Sequence, residues 1–174
     1  MAPERRAQRR DRSTPRVVRV RRMRAADAAA VARIEGAVFG REAWPRGAFA
    51  YVCHVFGTAR PTRGELWVAE SSGRIVGYTG LELSALGGEA DIINLAVDPA
   101  YRRLGVGRRL LAAAALYCRR RGVALLWLRV RVANRGARAF YRRCGFRAIG
   151  RFRDYYEDPL EDAILMALRP PTIA

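Results

Sequence analysis

The sequence contains no lysine, so all 33 of its basic side chains are arginine. Against 16 acidic residues they give a formal net charge of +17. Because arginine is used without exception, we interpret the choice as a compositional bias and not as selection for nucleic-acid binding. The charge nevertheless attracts anionic cofactors, RNA and acidic surfaces to the protein.

Cysteine and histidine are also scarce. The three cysteines, Cys53, Cys118 and Cys144, are scattered and form neither a disulfide framework nor a zinc-binding pattern. The single histidine, His54, lies in a short predicted helix, where a structural or surface role is more common than a catalytic one. We therefore predict no metal site, and the unpaired thiols favour a reducing, cytoplasmic location.

No apolar run approaches the ~20 residues that cross a membrane, and the N-terminal residues lack the apolar core of a signal peptide. A cytoplasmic protein without membrane contact is expected. The length of 174 residues, 51% of them hydrophobic, suffices for one domain with a substantial core. We predict this domain over 17–169, between an arginine-rich disordered tail at 1–16 and a short tail at 170–174. A solvated tail is the simpler interpretation of 1–16, and an RNA-binding arm is the alternative.

Hydrophobic periodicity predicts an alternation of strands and helices. The order is β-α-α-β-β-β-α-β-α-β-β, which indicates an α/β fold with helices on the faces of a mixed sheet. One strand–helix–strand unit in the middle of the chain forms a parallel crossover. The predicted strands are 17–23, 65–70, 74–83, 89–97, 123–131, 146–152 and 162–168, with helices at 25–38 and 46–55, after Gly107 and after Asn134, and a loop at 153–159.

The stretch from Asn94 to Leu111 joins a strand to a helix through a loop with two glycines, Gly105 and Gly107. This arrangement points main-chain N–H groups and the positive end of a helix dipole at an anion, most often a phosphate. The loop lacks the Gly-Lys-Ser/Thr ending of a Walker loop and the third glycine of a dinucleotide-binding fingerprint. A tight turn that only starts a helix is the alternative.

Two blocks of this sequence resemble the GCN5-related N-acetyltransferase (GNAT) superfamily. Arg-x-x-Gly-x-Gly at 102–107 follows a strand that ends Leu-Ala-Val-Asp-Pro, and the second block carries Asn134, Tyr141 and Cys144-Gly145-Phe146. Leu126-Trp127-Leu128, Tyr155-Tyr156 and 161–168 further resemble the ribosomal-protein alanine N-acetyltransferases, the RimI type. The resemblance covers about 17–168. It implies the GNAT fold, a mixed and mostly antiparallel sheet with a central parallel β-α-β unit and helices on both faces.

The resemblance implies that acetyl-coenzyme A (acetyl-CoA) is the acetyl donor. In that family the end of the central strand and the following loop hold this cosubstrate, and Asn134 would contact its pantetheine arm while also capping a helix. Leu95, Ala96 and Val97 are implied to hold the pantetheine arm, and Arg102, Arg103, Leu104, Gly105, Val106, Gly107 and Arg108 are implied to surround the pyrophosphate.

The resemblance also implies that Tyr141 is the general acid that protonates the departing thiolate. In the RimI type a glutamate follows Leu-Trp-Leu and acts as the base, but this position is Arg129, which cannot accept a proton. Three explanations stay open. In the first explanation Asp91, which alternates with Glu89 on the neighbouring strand, is the base. The alternative role for Asp91 is an ion pair with an arginine. In the second explanation the acceptor is an α-amine, whose pKa of about 7.7–8.0 compares with about 10.4 for lysine, so it needs little help from a base to lose its proton. In the third explanation catalysis is weak or lost.

The acceptor half of the site is implied to contain Trp44, Arg129, Tyr155 and Tyr156. The resulting hypothesis is an Nα-acetyltransferase of a protein N-terminus, with the alanine of a small-subunit ribosomal protein as the model acceptor. A GNAT enzyme for a small amine and a non-catalytic acetyl-CoA-binding module are the alternatives.

Overall fold

The computed structural model describes residues 17–45, 47–58, 63–169 and 172–173. The predicted tail 1–16, and with it the predicted RNA contact, lies outside the described residues, as does most of 170–174. Seven strands form one sheet in the order β1-β2-β3-β4-β5-β7-β6. The strands are β1 (Val18–Arg22), β2 (Gly64–Ser71), β3 (Arg74–Leu83), β4 (Glu89–Val97), β5 (Leu125–Arg131), β6 (Arg147–Glu157) and β7 (Leu160–Leu168).

The pairing of the strands confirms a mixed, mostly antiparallel sheet. Only β4 and β5 run parallel, and the helix between them makes the central β-α-β unit. The helices are α1 (Ala28–Phe39), α2 (Ala48–Thr58), α3 (Val106–Arg120) and α4 (Arg135–Arg143). Short 3₁₀ turns precede α1 (Ala25–Asp27), follow it (Gly40–Glu42) and follow β4 (Pro99–Tyr101).

Two apolar cores lie on opposite faces of the sheet. The first contains α3 and α4, because Leu110, Leu111 and Ala114 of α3 are fully buried against Leu126 and other sheet residues. The second contains α1 and α2, with buried residues that include Val31, Ile34, Phe49, Val68 and Tyr78. Helices therefore cover both faces, as the family resemblance implies.

The parallel pairing between β4 and β5 is short and ends in a fork. It comprises three residue pairs and stops at Asp91 and Trp127. Beyond that point β4 stays with β3 and β5 stays with β7. A β-bulge at Ile93 accompanies the separation, since Gly80 pairs with Asn94 while Leu81 pairs with Ile92. A bulge bends its strand, and the bend accounts for the opening between β4 and β5.

The expectation of a loop at 153–159 is wrong. Residues up to Glu157 belong to β6, and the turn to β7 is formed by Asp158-Pro159. The register slips by two residues between Phe152 and Tyr156, and Asp154 has a positive φ of 49° within this bulge. The bulge interrupts the alternation of side chains, which is why the sequence pattern resembles a loop.

Candidate active site

The N-terminus of α3 is a candidate site for an anion. Its N-cap, Gly105, has no side chain to accept from the first main-chain N–H groups. The main-chain N–H groups of Val106 and Gly107 lie ahead of the first hydrogen bond of the helix, which runs from Arg109 N to Gly105 O at 3.1 Å. They lie at the positive end of a 15-residue helix.

The two glycines of this loop have different roles. Gly105 has a φ of +76°, and a Cβ there would meet open space, so the residue is required for its backbone conformation. Gly107 lies in the first turn of α3, and a Cβ there would come within 3.1 Å of the Phe140 ring on α4. Gly107 therefore lets α4 pack closely against α3.

A surface depression of about 470 Å³ lies beside this helix end and is rimmed by Arg108 and Arg109. Leu104, Gly105, Ala112 and Ile173 complete its lining. The Arg102 side chain turns back, and its Nε donates to the main-chain oxygen of Val97 at 3.4 Å. The loop is therefore fixed to the end of β4 and exposes positive charge around an open helix end.

The fork between β4 and β5 supplies main-chain hydrogen-bonding groups. Leu95, Ala96 and Val97 pair with β3 on one side and have no strand on the side that faces β5. Main-chain groups on that edge can bind an extended chain as a further strand would. The side chain of Ala96 is buried in the core beneath α1 and α2 and therefore has a structural role.

Asn134 caps α4, as the sequence predicts. Its Oδ1 accepts from the main-chain N–H of Ala137 at 3.0 Å. Asn134 is exposed, and its side-chain NH₂ group can donate to a further partner.

Tyr141 of α4 is 9% exposed and packs against Phe140 and Phe146. Burial raises the pKa of its phenol, and the neighbouring Tyr156 raises it further. The phenol is therefore protonated at neutral pH. The effect of Tyr156 also places the candidate acid within electrostatic range of the candidate acceptor residues of β6.

Asp91 and Arg129 form an ion pair at the base of the fork. Ala90, Leu126 and Leu128 point into the core beneath α3 and α4, so strand alternation places Asp91 and Arg129 on the opposite face. The Oδ1 of Asp91 is buried and has no hydrogen-bond partner, while Oδ2 accepts from Arg129. Burial raises the pKa of Asp91 to about 6, against the opposing effect of Arg129.

The Arg129 guanidinium also lies between aromatic rings. Its Cζ is 4.9 Å from the centre of the Trp127 ring and 5.3 Å from that of Tyr155. Tyr155 in turn packs edge-on against Tyr156. The bulge that carries both tyrosines is fixed by Asp162, whose Oδ1 accepts from Asp154 N at 2.8 Å. Four predicted site residues are thus brought together beside the fork: Asp91, Arg129, Tyr155 and Tyr156.

Trp44 is placed apart from this cluster. Its ring stacks on Phe49 of α2, with ring centres 5.2 Å apart, and belongs to the edge of the core beneath α1 and α2. Its main-chain N–H donates to Glu35 Oε1 at 3.1 Å. The loop before it does reach the acceptor side, since Glu42 pairs with Arg131 of β5.

Glu35 is a residue that sequence reasoning did not select. It is 1% exposed in α1 and accepts hydrogen bonds from the Tyr78 hydroxyl, the Asn94 side chain and the Trp44 main chain. The available signal was its position, four residues after Val31, on the apolar face of the helix. A carboxylate on that face must find several donors, and here they come from β3, β4 and the loop after α1.

The described residues contain no group of three or more His, Cys, Asp or Glu side chains arranged to hold a metal ion. In the same part of the chain, no helix is long and apolar enough to cross a membrane.

A sequence profile of the acetyltransferase (GNAT) family matches residues 28–146, more than half of the chain. The chain belongs to the GNAT family. A curated relative, the N-alpha-acetyltransferase RimI of Mycobacterium tuberculosis, is 36% identical over 146 residues, which cover 81% of this chain and 85% of the relative. The family match confirms the resemblance based on the loop of α3 and on the residues around Tyr141.

The [ribosomal protein bS18]-alanine N-acetyltransferase of Escherichia coli (strain K12) is 49% identical over 82 residues. These residues are 46% of this chain and 55% of the relative, so the chain spans about half the length of that protein in the alignment. The crystal structure of the E. coli ribosomal-protein-S18-alanine N-acetyltransferase superposes with a TM-score of 0.76 at 31% identity, covering 91% of this chain and 96% of the other. Ard1 from Thermoplasma volcanium superposes with a TM-score of 0.75 at 26% identity, covering 87% and 97%.

Proposed function

We propose that this protein is an acetyl-CoA-dependent Nα-acetyltransferase that acts on the N-terminal amine of a protein. The observation that carries the proposal is the meeting of two half-sites at the β4–β5 fork. An open helix end with arginines lies on one side, and the cluster of Asp91, Arg129, Tyr155 and Tyr156 lies on the other, with Tyr156 within electrostatic range of Tyr141. Two relatives are named as acetyltransferases of the alanine of ribosomal protein S18, and these names support an N-terminal alanine of a small-subunit ribosomal protein as the acceptor.

The donor half fits acetyl-CoA by its set of hydrogen-bond donors. The main-chain N–H groups at the start of α3 and the rim of Arg108 and Arg109 suit a pyrophosphate. The free edge of β4 at Leu95–Val97 suits the amides of an extended pantetheine arm, and Asn134 offers an amide nitrogen to the same arm. When bound, acetyl-CoA supplies the acetyl group as an activated thioester.

Asp91 is proposed as the base that takes the proton of the α-amine. Its Oδ1 is free of other hydrogen bonds, and a pKa of about 6 leaves the carboxyl mostly ionised at neutral pH while it remains basic enough to accept a proton. Arg129 is proposed to help by keeping the amine neutral, because a nearby positive charge lowers an amine's pKa. This effect favours α-amines, whose pKa is already about 7.7–8.0.

Tyr141 is proposed as the acid that gives its phenolic proton to the leaving thiolate sulfur. Its raised pKa keeps the proton on the oxygen until a strong base forms beside it. Of the two alternatives considered from the sequence, an enzyme for a cationic small amine is opposed by the charge of the surface. The depressions of about 290 and 470 Å³ are both rimmed by arginine.

The test is an acceptor screen with the full chain, acetyl-CoA and a pool of peptides read by mass spectrometry. The pool contains peptides with a free N-terminal alanine, the same peptides with a blocked N-terminus and an internal lysine, and polyamines. We expect acetylation of the α-amines, lowered about 100-fold by Tyr141→Phe. Acetylation confined to lysines or polyamines contradicts the acceptor class, and acetyl-CoA binding without turnover on any acceptor identifies a non-catalytic module.

A further inference from the structure

A second surface depression, of about 290 Å³, lies between β1 and the C-terminal half of α3. We refer to it as the β1–α3 depression. Among the described residues it shares no lining residue with the depression at the N-terminus of α3. The helix has 15 residues and is therefore about 22 Å long, and the two depressions lie toward its opposite ends. The β1–α3 depression is thus separate from the candidate active site.

The central surface of the β1–α3 depression is aromatic and apolar. Trp67 of β2 and Tyr117 of α3 pack edge to face with ring centres 5.4 Å apart, and both are more than nine-tenths buried. Leu116 also lines the depression and is 44% exposed. The Tyr117 hydroxyl is buried and has no hydrogen-bond partner among the described residues. The depression therefore combines apolar surface with a hydrogen-bond donor for which this part of the chain supplies no acceptor.

Arginine side chains surround this apolar surface. Arg22 of β1 lies opposite Trp67 in the strand register, so the two side chains are on the same face of the sheet. Arg120 and Arg121 come from the end of α3. Arg22 pairs with Glu65 at 2.9 Å, whereas Arg120 and Arg121 form no ion pair with the described residues. Two exposed guanidinium groups are therefore left to attract an anionic partner.

The shape and charge of the β1–α3 depression fit an acidic protein segment. Pockets for drug-sized ligands usually hold ~300–1,000 Å³, so about 290 Å³ suits a single large side chain better. RNA fits less well, because the buried rings of Trp67 and Tyr117 present no open face on which a base could stack. An apolar side chain between carboxylates matches both the apolar surface and the arginines around it.

We propose that the β1–α3 depression is a docking site for an acidic segment of a partner protein. One apolar side chain of the segment packs against Leu116 and the two aromatic rings, and the carboxylates beside it pair with Arg120 and Arg121. The depression lies apart from the candidate active site, so this docking does not depend on the proposed acetyltransferase function. An enzyme without activity on any acceptor would still bind the segment.

The experiment measures binding of a dye-labelled peptide to the full chain by fluorescence anisotropy. The probe has a central phenylalanine with three aspartates on either side, and the control peptide has serine in place of the phenylalanine. We expect the phenylalanine peptide to bind about tenfold more tightly, because its ring loses contact with water. Leu116→Ser should abolish this difference and leave binding of the serine peptide unchanged.

Two further variants separate the local arginines from the overall charge of the protein. Arg120→Glu should weaken binding of the phenylalanine peptide about tenfold. Arg143 is the matched control, since it is an exposed arginine in the last turn of α4 and does not line the depression. Arg143→Glu makes the same change in net charge and should bind the peptide nearly as the wild type does.

Several results would overturn the proposal. Equal binding of the two peptides, or equal losses in Arg120→Glu and Arg143→Glu, means that net charge alone attracts the probe. Absence of measurable binding also contradicts a docking site. Polyuridylate is tested as a second probe, and a tenfold loss of its affinity in Leu116→Ser identifies RNA as the occupant instead. Leu116 and Arg120 are both exposed, so both variants should fold, and if circular dichroism shows that one does not, the other decides.

Discussion

The Asn94 side chain donates to both oxygens of the Glu35 carboxylate, at 3.1 Å and 3.2 Å. Asn94 directly precedes the segment Leu95–Val97 that we propose to hold the pantetheine arm, and Glu35 also accepts from the main chain of Trp44. The buried carboxylate therefore connects the donor strand to the loop on the acceptor side. Glu35 is a positioning residue in this arrangement, because it acts through Asn94 and Trp44.

Replacing Glu35 should cost stability in proportion to the donors left without an acceptor. Glu35→Ala leaves the Tyr78 hydroxyl, the Asn94 amide and the Trp44 N–H unpaired, and we expect the free energy of unfolding to fall by about 3 kcal/mol. Glu35→Gln retains one acceptor and should lose about half as much. Urea unfolding measures both changes. The exposed Glu89 provides the control, since Glu89→Ala should have little effect, and an equal loss in all three variants contradicts a specific role for Glu35.

Asp91 should determine the lower limb of the pH–rate profile. A base must be ionised to accept a proton, so kcat/KM is expected to show an inflection near pH 6, below the separate inflection at about 7.7–8.0 that comes from the acceptor amine itself. Asp91→Asn should remove this inflection and lower kcat about 100-fold. Glu89→Gln, on the same strand but exposed, should keep the wild-type profile. An unchanged inflection in Asp91→Asn would show that another group takes the proton, or that the amine reacts without a base.

The sequence predicts most of the fold, including the strand, loop and helix on which the proposed donor half is built. Hydrophobic periodicity and glycine spacing are local signals, and they locate β4, the glycine loop and α3 to within a few residues. The acceptor half depends on contacts between distant segments. The partnership of Glu42 with Arg131 spans 89 residues, and nothing near either residue signals it.

Tyr155 shows a second limit of local reasoning. Its segment combines Arg153-Asp154 with a bulge, and the loss of alternation makes a strand resemble a loop. The strand is maintained by cross-strand contacts with β7, including the main-chain bond from Asp154 to the Asp162 side chain. The pairing of Asp91 with Arg129, in contrast, is one of the two roles that the sequence predicts for Asp91, either a base or the partner of an arginine. The prediction is possible because the two residues lie on neighbouring strands and strand alternation indicates the face of each side chain.

The core beneath α3 should respond strongly to truncation. Leu111 is fully buried, and Leu111→Ala removes packed side-chain atoms and leaves a cavity. We expect the free energy of unfolding to fall by about 3 kcal/mol. Leu116 lies on the same helix but is 44% exposed, so Leu116→Ala should cost less than ~1 kcal/mol. Equal losses in a denaturant titration would contradict the assignment of the buried face of α3.

Gly105 offers a test of the donor half that does not depend on the acceptor. A Cβ at this position meets open space, so Gly105→Ala introduces no clash, but its φ of +76° is strained for alanine. The strain should be relieved by movement of the loop away from the helix end, which weakens the binding of acetyl-CoA about fivefold, or ~1 kcal/mol, in calorimetric titration. Gly87 has a φ of +75° and equally open surroundings in the turn before β4. Gly87→Ala should therefore lose similar stability while it binds acetyl-CoA as the wild type does. If the two variants bind equally well, the conformation of the loop at Gly105 is not what holds the pyrophosphate.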